Sequence, residues 1–264
     1  MDLGLKDKIA LVTGAGSQVG FGKAISLTLA GEGCNVAVTD VDLGEAEKTA
    51  GAVRELGLES IAVGADITNE TEVKAMVKKV IEEYGKIDIL CNVAGAILQK
   101  DNIPIEEQPT DIWEKQMNLN LYGTMFVTQA VIPHMRKQKY GAIVNIGSGS
   151  THQYQMGVGM YAISKVAIDQ FTKQLAMAEA KSGIRVNCVA PGPAPTNFGA
   201  VLREGLPAPT EEEARERRAR MIATMPLGRI GTAADVANAT VFLASDVTGY
   251  VTGQVFHVSG GSVM

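Results

Sequence analysis

Cysteine is scarce in this sequence, and the cysteines it has stand far apart. Among 264 residues only Cys34, Cys91 and Cys188 are cysteine, and no C-x-x-C pair occurs. Structural zinc sites and disulfide frameworks need closely spaced or paired cysteines, so we predict neither a metal site nor disulfides. Each cysteine lies in an apolar segment, which predicts buried, unreactive thiols and a cytoplasmic location.

An excess of positive charge and long apolar runs are also lacking. Lys and Arg number 24 against 29 Asp and Glu, a formal net charge of −5. A basic surface is typical of proteins that bind nucleic acid, so we expect no nucleic-acid partner. No apolar run is long enough to span a membrane, and residues 1–8 lack the apolar core of a signal peptide. We therefore expect no membrane association.

Apolar residues are abundant, at 46% of the chain. They form short unbroken runs that alternate with stretches of helical periodicity. Unbroken runs are typical of strands buried on both faces, so the alternation predicts a doubly wound parallel α/β sheet with helices on both faces. No repeat or linker interrupts it, so residues 1–264 should form a single domain. The predicted strands cover residues 9–13, 35–39, 61–65, 87–93, 142–146, 184–189 and 255–258.

A glycine-rich stretch, T-G-A-G-S-Q-V-G-F-G, lies between the first predicted strand and the first predicted helix. Glycines there permit a tight turn and close approach to a pyrophosphate, and the helix N-terminus offers free N–H groups. Such a stretch can be only a turn, but its position favours a dinucleotide site. The candidate binding residues are Gly14, Ser17, Gly20, Phe21 and Gly22.

The second predicted strand ends near Asp40. A carboxylate at this position can accept hydrogen bonds from both hydroxyls of an adenosine ribose, and it repels a 2′-phosphate. No Lys or Arg lies in residues 14–22 or directly after Asp40 to neutralise that phosphate. The alternative role, capping of the next helix, is already filled by Asp42. The sequence therefore predicts NAD rather than NADP as cofactor.

Tyr161 and Lys165 lie four residues apart in a predicted helix, and Ser148 lies thirteen residues before the tyrosine. Residues four apart share one helix face, which places an ammonium beside a phenol. A free tyrosine has a pKa of about 10, and a nearby cation lowers it. The pair predicts a proton donor and acceptor, although by itself it is more often a solvated helix face.

These pieces occur together, in one order, in a known family. The chain resembles the short-chain dehydrogenases/reductases over nearly its whole length, which implies a seven-stranded Rossmann sheet. Further matching segments are Asp66-Ile67, Asn92-Val-Ala-Gly95, Asn120, Pro191-Gly192 with Thr196, and Pro226-Leu-Gly-Arg229.

The resemblance implies a role for each matching residue. For the cofactor, Asp66 and Ile67 would hold the adenine, Asn92, Ala94 and Gly95 would line the cleft, and Pro191, Gly192 and Thr196 would hold the nicotinamide. For catalysis, Ser148 would polarise the substrate oxygen, Tyr161 would exchange the proton, Lys165 would lower the pKa of Tyr161 and contact the nicotinamide ribose, and Asn120 would anchor a proton relay. The family also suggests a homotetramer packed through helices that begin near Asp111 and Val158.

The chain departs from the family pattern in three places. Five residues separate Gly14 from Gly20, where three are usual. The longer spacing is similar to the enoyl-reductase branch, whose catalytic tyrosine and lysine are spaced more widely than here. Pro193 and Pro195 stand in the nicotinamide loop where bulkier aliphatic residues are common, and Ser259 stands where aspartate is frequent.

The substrate pocket should be built from residues 96–109, 149–160 and a lid at about 197–225. Candidate substrate contacts are His152, Gln153 and Tyr154, although a surface role for His152 is at least as well supported. Residues 210–221 form a strong helix pattern with a capping box of Thr210 and Glu213. This helix is either a solvated lid or a source of arginines for an anionic substrate, the candidates being Arg203, Arg217 and Arg220.

We interpret the chain as an NAD-dependent oxidoreductase of a small-molecule secondary alcohol or ketone. One alternative is a 3-oxoacyl-thioester reductase acting on a carrier- or CoA-bound substrate. Such reductases usually prefer NADPH, which Asp40 disfavours. The other alternative is a non-catalytic NAD-binding regulator, against which the complete Asn–Ser–Tyr–Lys set argues.

Overall fold

A computed structural model describes residues 2–98, 103–152, 158–196 and 210–264. Within these residues there are seven strands: β1 Ile9–Thr13, β2 Asn35–Asp40, β3 Ser60–Gly64, β4 Ile89–Asn92, β5 Gly141–Ile146, β6 Ile184–Pro191 and β7 Val255–Val258. They form one parallel sheet in the order β3-β2-β1-β4-β5-β6-β7, which confirms the predicted α/β architecture.

Helices cover both faces of this sheet. The helices are α1 Phe21–Gly31, α2 Leu43–Glu55, α3 Glu70–Tyr84, α4 Thr110–Met117, α5 Thr124–Gln138, α6 Gly159–Glu179, α7 Glu211–Ala223 and α8 Ala233–Ala244. Alternate residues of β1 face opposite layers: Ala10 and Val12 pack with α1, α2 and α8, whereas Leu11 packs with α3 and α5. The strand sequences are unbroken apolar runs because both faces of each strand are buried.

The strand order reverses at β1, which lies between β2 and β4. Helices that follow strands on opposite sides of this point diverge, and open α/β sheets bind ligands in the crevice left at the carboxyl ends of the strands. The fold therefore places the glycine-rich turn after β1 beside the segment that follows β4.

All three cysteines are buried free thiols, as predicted. Burial raises the pKa of each, that of Cys34 to about 12, so they stay protonated near neutral pH. None of the helices in the described segments combines the length and apolar character that crossing a membrane requires.

Candidate active site

A cleft of about 610 Å³ opens where the carboxyl ends of β1 and β4 meet. This volume is within the range of small-molecule and cofactor sites. The glycine-rich turn, the end of β2 and the segment after β4 all contribute to its walls. The predicted cofactor residues that line it are Gly14, Ser17, Gly20, Phe21, Asp40, Asp66, Ile67, Ala94, Gly95 and Thr196.

Close backbone packing explains two glycines of the turn. Gly14 has φ of +63°, and a Cβ there would lie 2.5 Å from the Cα of Ala94. A Cβ on Gly22 would lie 2.3 Å from the carbonyl oxygen of Gly14. Side chains at these positions would force β1, α1 and the segment after β4 apart. The turn therefore keeps an open cradle in front of the N-terminus of α1, which fits a pyrophosphate.

The two additional residues of the turn are held by Gln18. Its side-chain amide donates to the carbonyl oxygens of Gly16 at 2.7 Å and Glu45 at 3.2 Å, and its Oε1 accepts from Lys23 at 2.7 Å. The longer turn is thus tied to α2 and ordered. Sequence reasoning did not assign a role to Gln18.

Asp40 faces the cleft and also contacts the turn. Its Oδ2 accepts from the backbone N–H of Gly16 at 2.8 Å, and its Oδ1 accepts from Asp42 at 3.2 Å. Each carboxylate oxygen can accept more than one hydrogen bond, so Asp40 can still accept from a ribose. Asp42 caps α2 by accepting from Glu45 at 3.0 Å.

Four residues assigned from the resemblance have hydrogen-bonding or pairing partners within the protein. Asp66 lines the cleft, whereas Asn92, Pro191 and Gly192 do not. Asp66 accepts from the backbone and hydroxyl of Thr68, each at 2.8 Å. The amide of Asn92 is buried and donates to Thr128 and Asn145 at 3.1 and 2.9 Å. Pro191 and Gly192 lie at the end of β6, where Pro191 pairs with Val258 of β7 and Gly192 donates to Val258 at 2.9 Å.

Asn120 lies in a π-helical segment, Asn118–Gly123, between α4 and α5. Its amide accepts from the N–H of Ala96 at 3.0 Å and donates to the carbonyl of Ala96 and to Ser164. Gln116 lies four residues earlier, is fully buried and brackets the same segment by bonding to Leu98 and Ala96. Together they fix the cleft wall after β4. The spacing of four could have pointed to Gln116, which sequence reasoning missed.

The proposed catalytic residues lie close together near the N-terminal end of α6; they are Ser148, Tyr161 and Lys165. Tyr161 and Lys165 are 6% and 4% exposed, and the Lys165 Nζ lies 5.7 Å from the centre of the Tyr161 ring. Lys165 donates to the carbonyl of Ile146 at 2.7 Å, at the end of β5. Ser148 lies two residues after the end of that strand and is hydrogen-bonded to Tyr161.

Burial dominates the acid–base properties of this group. It raises the pKa of the Tyr161 phenol, and the hydrogen bond with Ser148 opposes that rise. This direction is opposite to the lysine-lowered pKa predicted from the sequence. Burial lowers the pKa of the Lys165 ammonium to about 8. The phenol is therefore protonated at neutral pH and is placed to act as a proton donor.

Three of the six candidate substrate residues lie in the described part of the chain. His152 is exposed, and its ring meets that of His257 edge to face at 4.8 Å between centroids. Arg217 and Arg220 are exposed on α7, whose predicted capping box is present. Arg220 pairs with Glu216 at 3.4 Å. Gln153, Tyr154 and Arg203 lie outside the described residues.

Two of the residues that depart from the family pattern, Ser259 and Pro193, make hydrogen bonds to the backbone that hold their turns in place. Ser259 closes a turn by accepting from the N–H of Val263 and donating to its carbonyl, each at 3.2 Å. The carbonyl of Pro193 accepts from Gly231 at 2.9 Å.

Known proteins match this chain over nearly its whole length. A family model described as enoyl-(acyl carrier protein) reductase matches residues 14–262. The chain is 36% identical to the 3-oxoacyl-[acyl-carrier-protein] reductase FabG of Staphylococcus aureus over 260 residues, which cover 97% of this chain and 98% of that protein.

Two solved structures share the fold over nearly the whole length. A 7α-hydroxysteroid dehydrogenase complexed with NADH and 7-oxo glycochenodeoxycholic acid superposes with a TM-score of 0.88 at 33% identity, covering 99% of this chain and 96% of that one. An NAD⁺-bound xylitol dehydrogenase gives 0.88 at 31% identity, covering 97% and 99%. The chain belongs to the short-chain dehydrogenase/reductase family, whose members named here are oxidoreductases.

Proposed function

We propose that this oxidoreductase uses NAD(H) to interconvert a ketone and a secondary alcohol, with Tyr161 exchanging the proton. The observation that carries the proposal is the group of buried Tyr161 and Lys165 with half-buried Ser148. This group lies next to the cleft, because a Cβ on the cleft residue Gly95 would lie 3.4 Å from the Lys165 Nζ. The bound nicotinamide would supply or accept the hydride. Gly14, Gly22 and Asp40 form the cradle that would hold its adenosine half.

In ketone reduction, the substrate oxygen would lie between Ser148 and Tyr161. The Ser148 hydroxyl would donate a hydrogen bond to this oxygen and stabilise the negative charge that develops there. Tyr161, protonated because of its burial, would deliver the proton. The Lys165 ammonium would then stabilise the phenolate. The role of Asn120 in a relay stays a prediction, because its amide is already bonded to Ala96 and Ser164.

NAD is proposed over NADP because Asp40 reaches the cleft wall. A 2′-phosphate placed beside this carboxylate would bring like charges together. The two structural neighbours hold NADH and NAD⁺, which supports the same choice.

For the substrate, a 3-oxoacyl thioester is favoured over a simple ketone. The reductase of Staphylococcus aureus is named for a 3-oxoacyl group on a carrier protein. This similarity reverses the order in which the sequence ranked the two classes. Simple alcohols stay the second candidate, because the structural neighbours are named as a hydroxysteroid and a xylitol dehydrogenase.

The test is to measure kcat/KM with NADH and with NADPH for acetoacetyl-CoA and for a matched simple ketone. We expect turnover with NADH and a higher kcat/KM for the thioester. Turnover of the simple ketone alone would favour the second candidate. Binding of NADH with no turnover of either substrate class would favour the regulator.

A further inference from the structure

Asp169 lies on the same face of α6 as the proposed catalytic residues. Tyr161, Lys165 and Asp169 follow one another at intervals of four residues, which aligns them along the face of the helix that meets the sheet. Asp169 is 9% exposed. A carboxylate buried to this extent needs hydrogen-bonding partners.

The partners of Asp169 come from two different elements. The Cys188 Sγ in β6 lies 3.5 Å from its Oδ1, and the Thr151 hydroxyl also hydrogen-bonds to the carboxylate. Thr151 belongs to the short helical turn Gly149–His152, which directly follows Ser148. Its one hydroxyl proton is shared between the Asp169 carboxylate and the Ser148 carbonyl, whose oxygen lies 3.0 Å from the Thr151 hydroxyl oxygen. Asp169 therefore connects α6 and β6 to the turn that carries Ser148.

Gly147 makes this connection possible. A Cβ on Gly147 would lie 2.7 Å from the Sγ of Cys188 and 2.9 Å from Oδ1 of Asp169. Any side chain there would push the thiol and the carboxylate away from the backbone that precedes Ser148.

The charged and titratable groups around Asp169 come from every element packed against it. They are Lys165 on α6, Cys188 on β6, His152 on the turn and His257 on β7. Burial keeps the Cys188 thiol neutral, and burial also lowers the pKa of His257. Burial also raises the pKa of the Asp169 carboxyl, and the hydrogen bonds with Cys188 and Thr151 oppose that rise. Of the two acidic groups that act on Lys165, Cys188 and Asp169, the carboxyl is therefore the one that supplies a negative charge near neutral pH.

We propose that Asp169 is a positioning residue that fixes the turn carrying Ser148 and supplies the negative charge facing Lys165. Its effect on turnover rests on the proposed function, whereas its effect on the charge of Lys165 does not.

The test uses Asp169→Asn, which keeps the size of the side chain and removes its charge. We expect kcat for ketone reduction to fall by at least about tenfold with little change in KM. The alkaline limb of the kcat profile should move to lower pH, because Lys165 loses its anionic neighbour.

A readout that does not depend on turnover is the titration of Lys165. In protein labelled with ¹³C-lysine, the Cε signal of Lys165, assigned with Lys165→Met, should titrate at lower pH in Asp169→Asn than in the wild type. The matched control is Asp88→Asn. Asp88 is also a buried carboxylate, 5% exposed, but it accepts from Ile9 at 2.9 Å at the opposite end of the sheet.

Each outcome decides the proposal. A wild-type Lys165 titration in Asp169→Asn would overturn it, as would losses of kcat and thermal stability equal to those of Asp88→Asn. If the wild type reduces no substrate, the proposed function fails, and the Lys165 titration alone decides whether Asp169 faces the lysine as an anion.

Discussion

Tyr161 is the residue whose replacement should stop the chemistry and leave the fold intact. Tyr161→Phe removes the proton donor but keeps the buried ring, so kcat for reduction should fall on the order of 100-fold or more. Affinity for NADH, measured by calorimetry, should stay within a few-fold. Tyr140→Phe is the matched control, because the Tyr140 hydroxyl bonds to Asp246 at 2.7 Å away from the site. Activity near wild type in Tyr161→Phe would remove this residue from the mechanism.

Lys165 should set the alkaline limit of ketone reduction. Burial lowers its pKa to about 8, so the ammonium is present below that pH and lost above it. The kcat for reduction should therefore decline as the pH rises through about 8, where the phenolate loses its stabilising cation. The measurement is the pH profile of kcat between pH 6 and 10 at saturating NADH. A flat profile across this range would show that the charge of Lys165 does not limit the reaction.

Asp40 should decide between NADH and NADPH. Charged hydrogen bonds are worth about 1.5–3 kcal/mol, so we expect kcat/KM to favour NADH by at least about tenfold in the wild type. Asp40→Ala should reduce this ratio mainly by weakening NADH, and it also frees the N–H of Gly16. Asp42→Ala, which removes only the cap of α2, should leave the ratio unchanged. A ratio that stays the same in Asp40→Ala would assign the choice to another group.

Local sequence motifs indicated individual candidate residues of the site, but they did not indicate the residues that hold these candidates in place. Gly14, Asp40 and Tyr161 follow from local spacing. Gln18 and Asp169 bond to partners on other elements, and no local pattern encodes such contacts. The pKa of Tyr161 was predicted in the wrong direction because its burial depends on the packing of the whole chain.

Helix α8 tests how a single cap stabilises an element of the core. Thr232 caps α8 by accepting from Asp235 at 3.1 Å, and Asp235 bonds back in a capping box. Thr232→Ala should lower the free energy of unfolding by about 1 kcal/mol. This corresponds to a fall in melting temperature of roughly 2–4 °C in a chain of this size, which differential scanning calorimetry can measure.

The matched control for this substitution is Thr210→Ala. It removes the same capping box from α7, a helix with no buried residues. Because α8 contributes Val236, Val241 and Leu243 to the core and α7 does not, only Thr232→Ala should lower the global melting temperature. Equal shifts would mean that α7 unfolds together with the core.

The bounds of secondary-structure elements were predicted well where the sequence shows a single clear hydrophobic pattern. The strands β1 and β7 have the predicted bounds, whereas β6 runs two residues further, to Pro191. The extension needs a pairing with Val258, which is distant in sequence. The π-helical segment that carries Asn120 was not predicted either, because its hydrogen-bonding pattern differs from that of the α-helix by one residue.

For the molecule as a whole, exposed apolar side chains predict self-association. Ile163, Val166 and Met177 lie on the outer face of α6 and are 45%, 50% and 81% exposed. Exposed apolar patches are typical of protein interfaces, and the family resemblance suggests a tetramer. Light scattering should give four times the mass of one chain, and Val166→Asp should lower it. The control is Leu56→Asp, at a similarly exposed apolar residue at the end of α2, which should leave this mass unchanged. A monomeric wild-type protein would contradict the prediction.

The two faces of α6 carry residues with different predicted roles, catalysis on one face and association between copies on the other. The inner face carries Tyr161, Lys165 and Asp169, and the outer face carries Ile163 and Val166. The same backbone would therefore support the proposed proton donor and the predicted contact between copies. If copies associate through this helix, dissociation removes the support behind the tyrosine. Specific activity would then fall at low enzyme concentration, and a sample that is diluted and then concentrated again would regain it after a delay set by reassociation. Assays across a dilution series would thus report the assembly through the rate of the reaction.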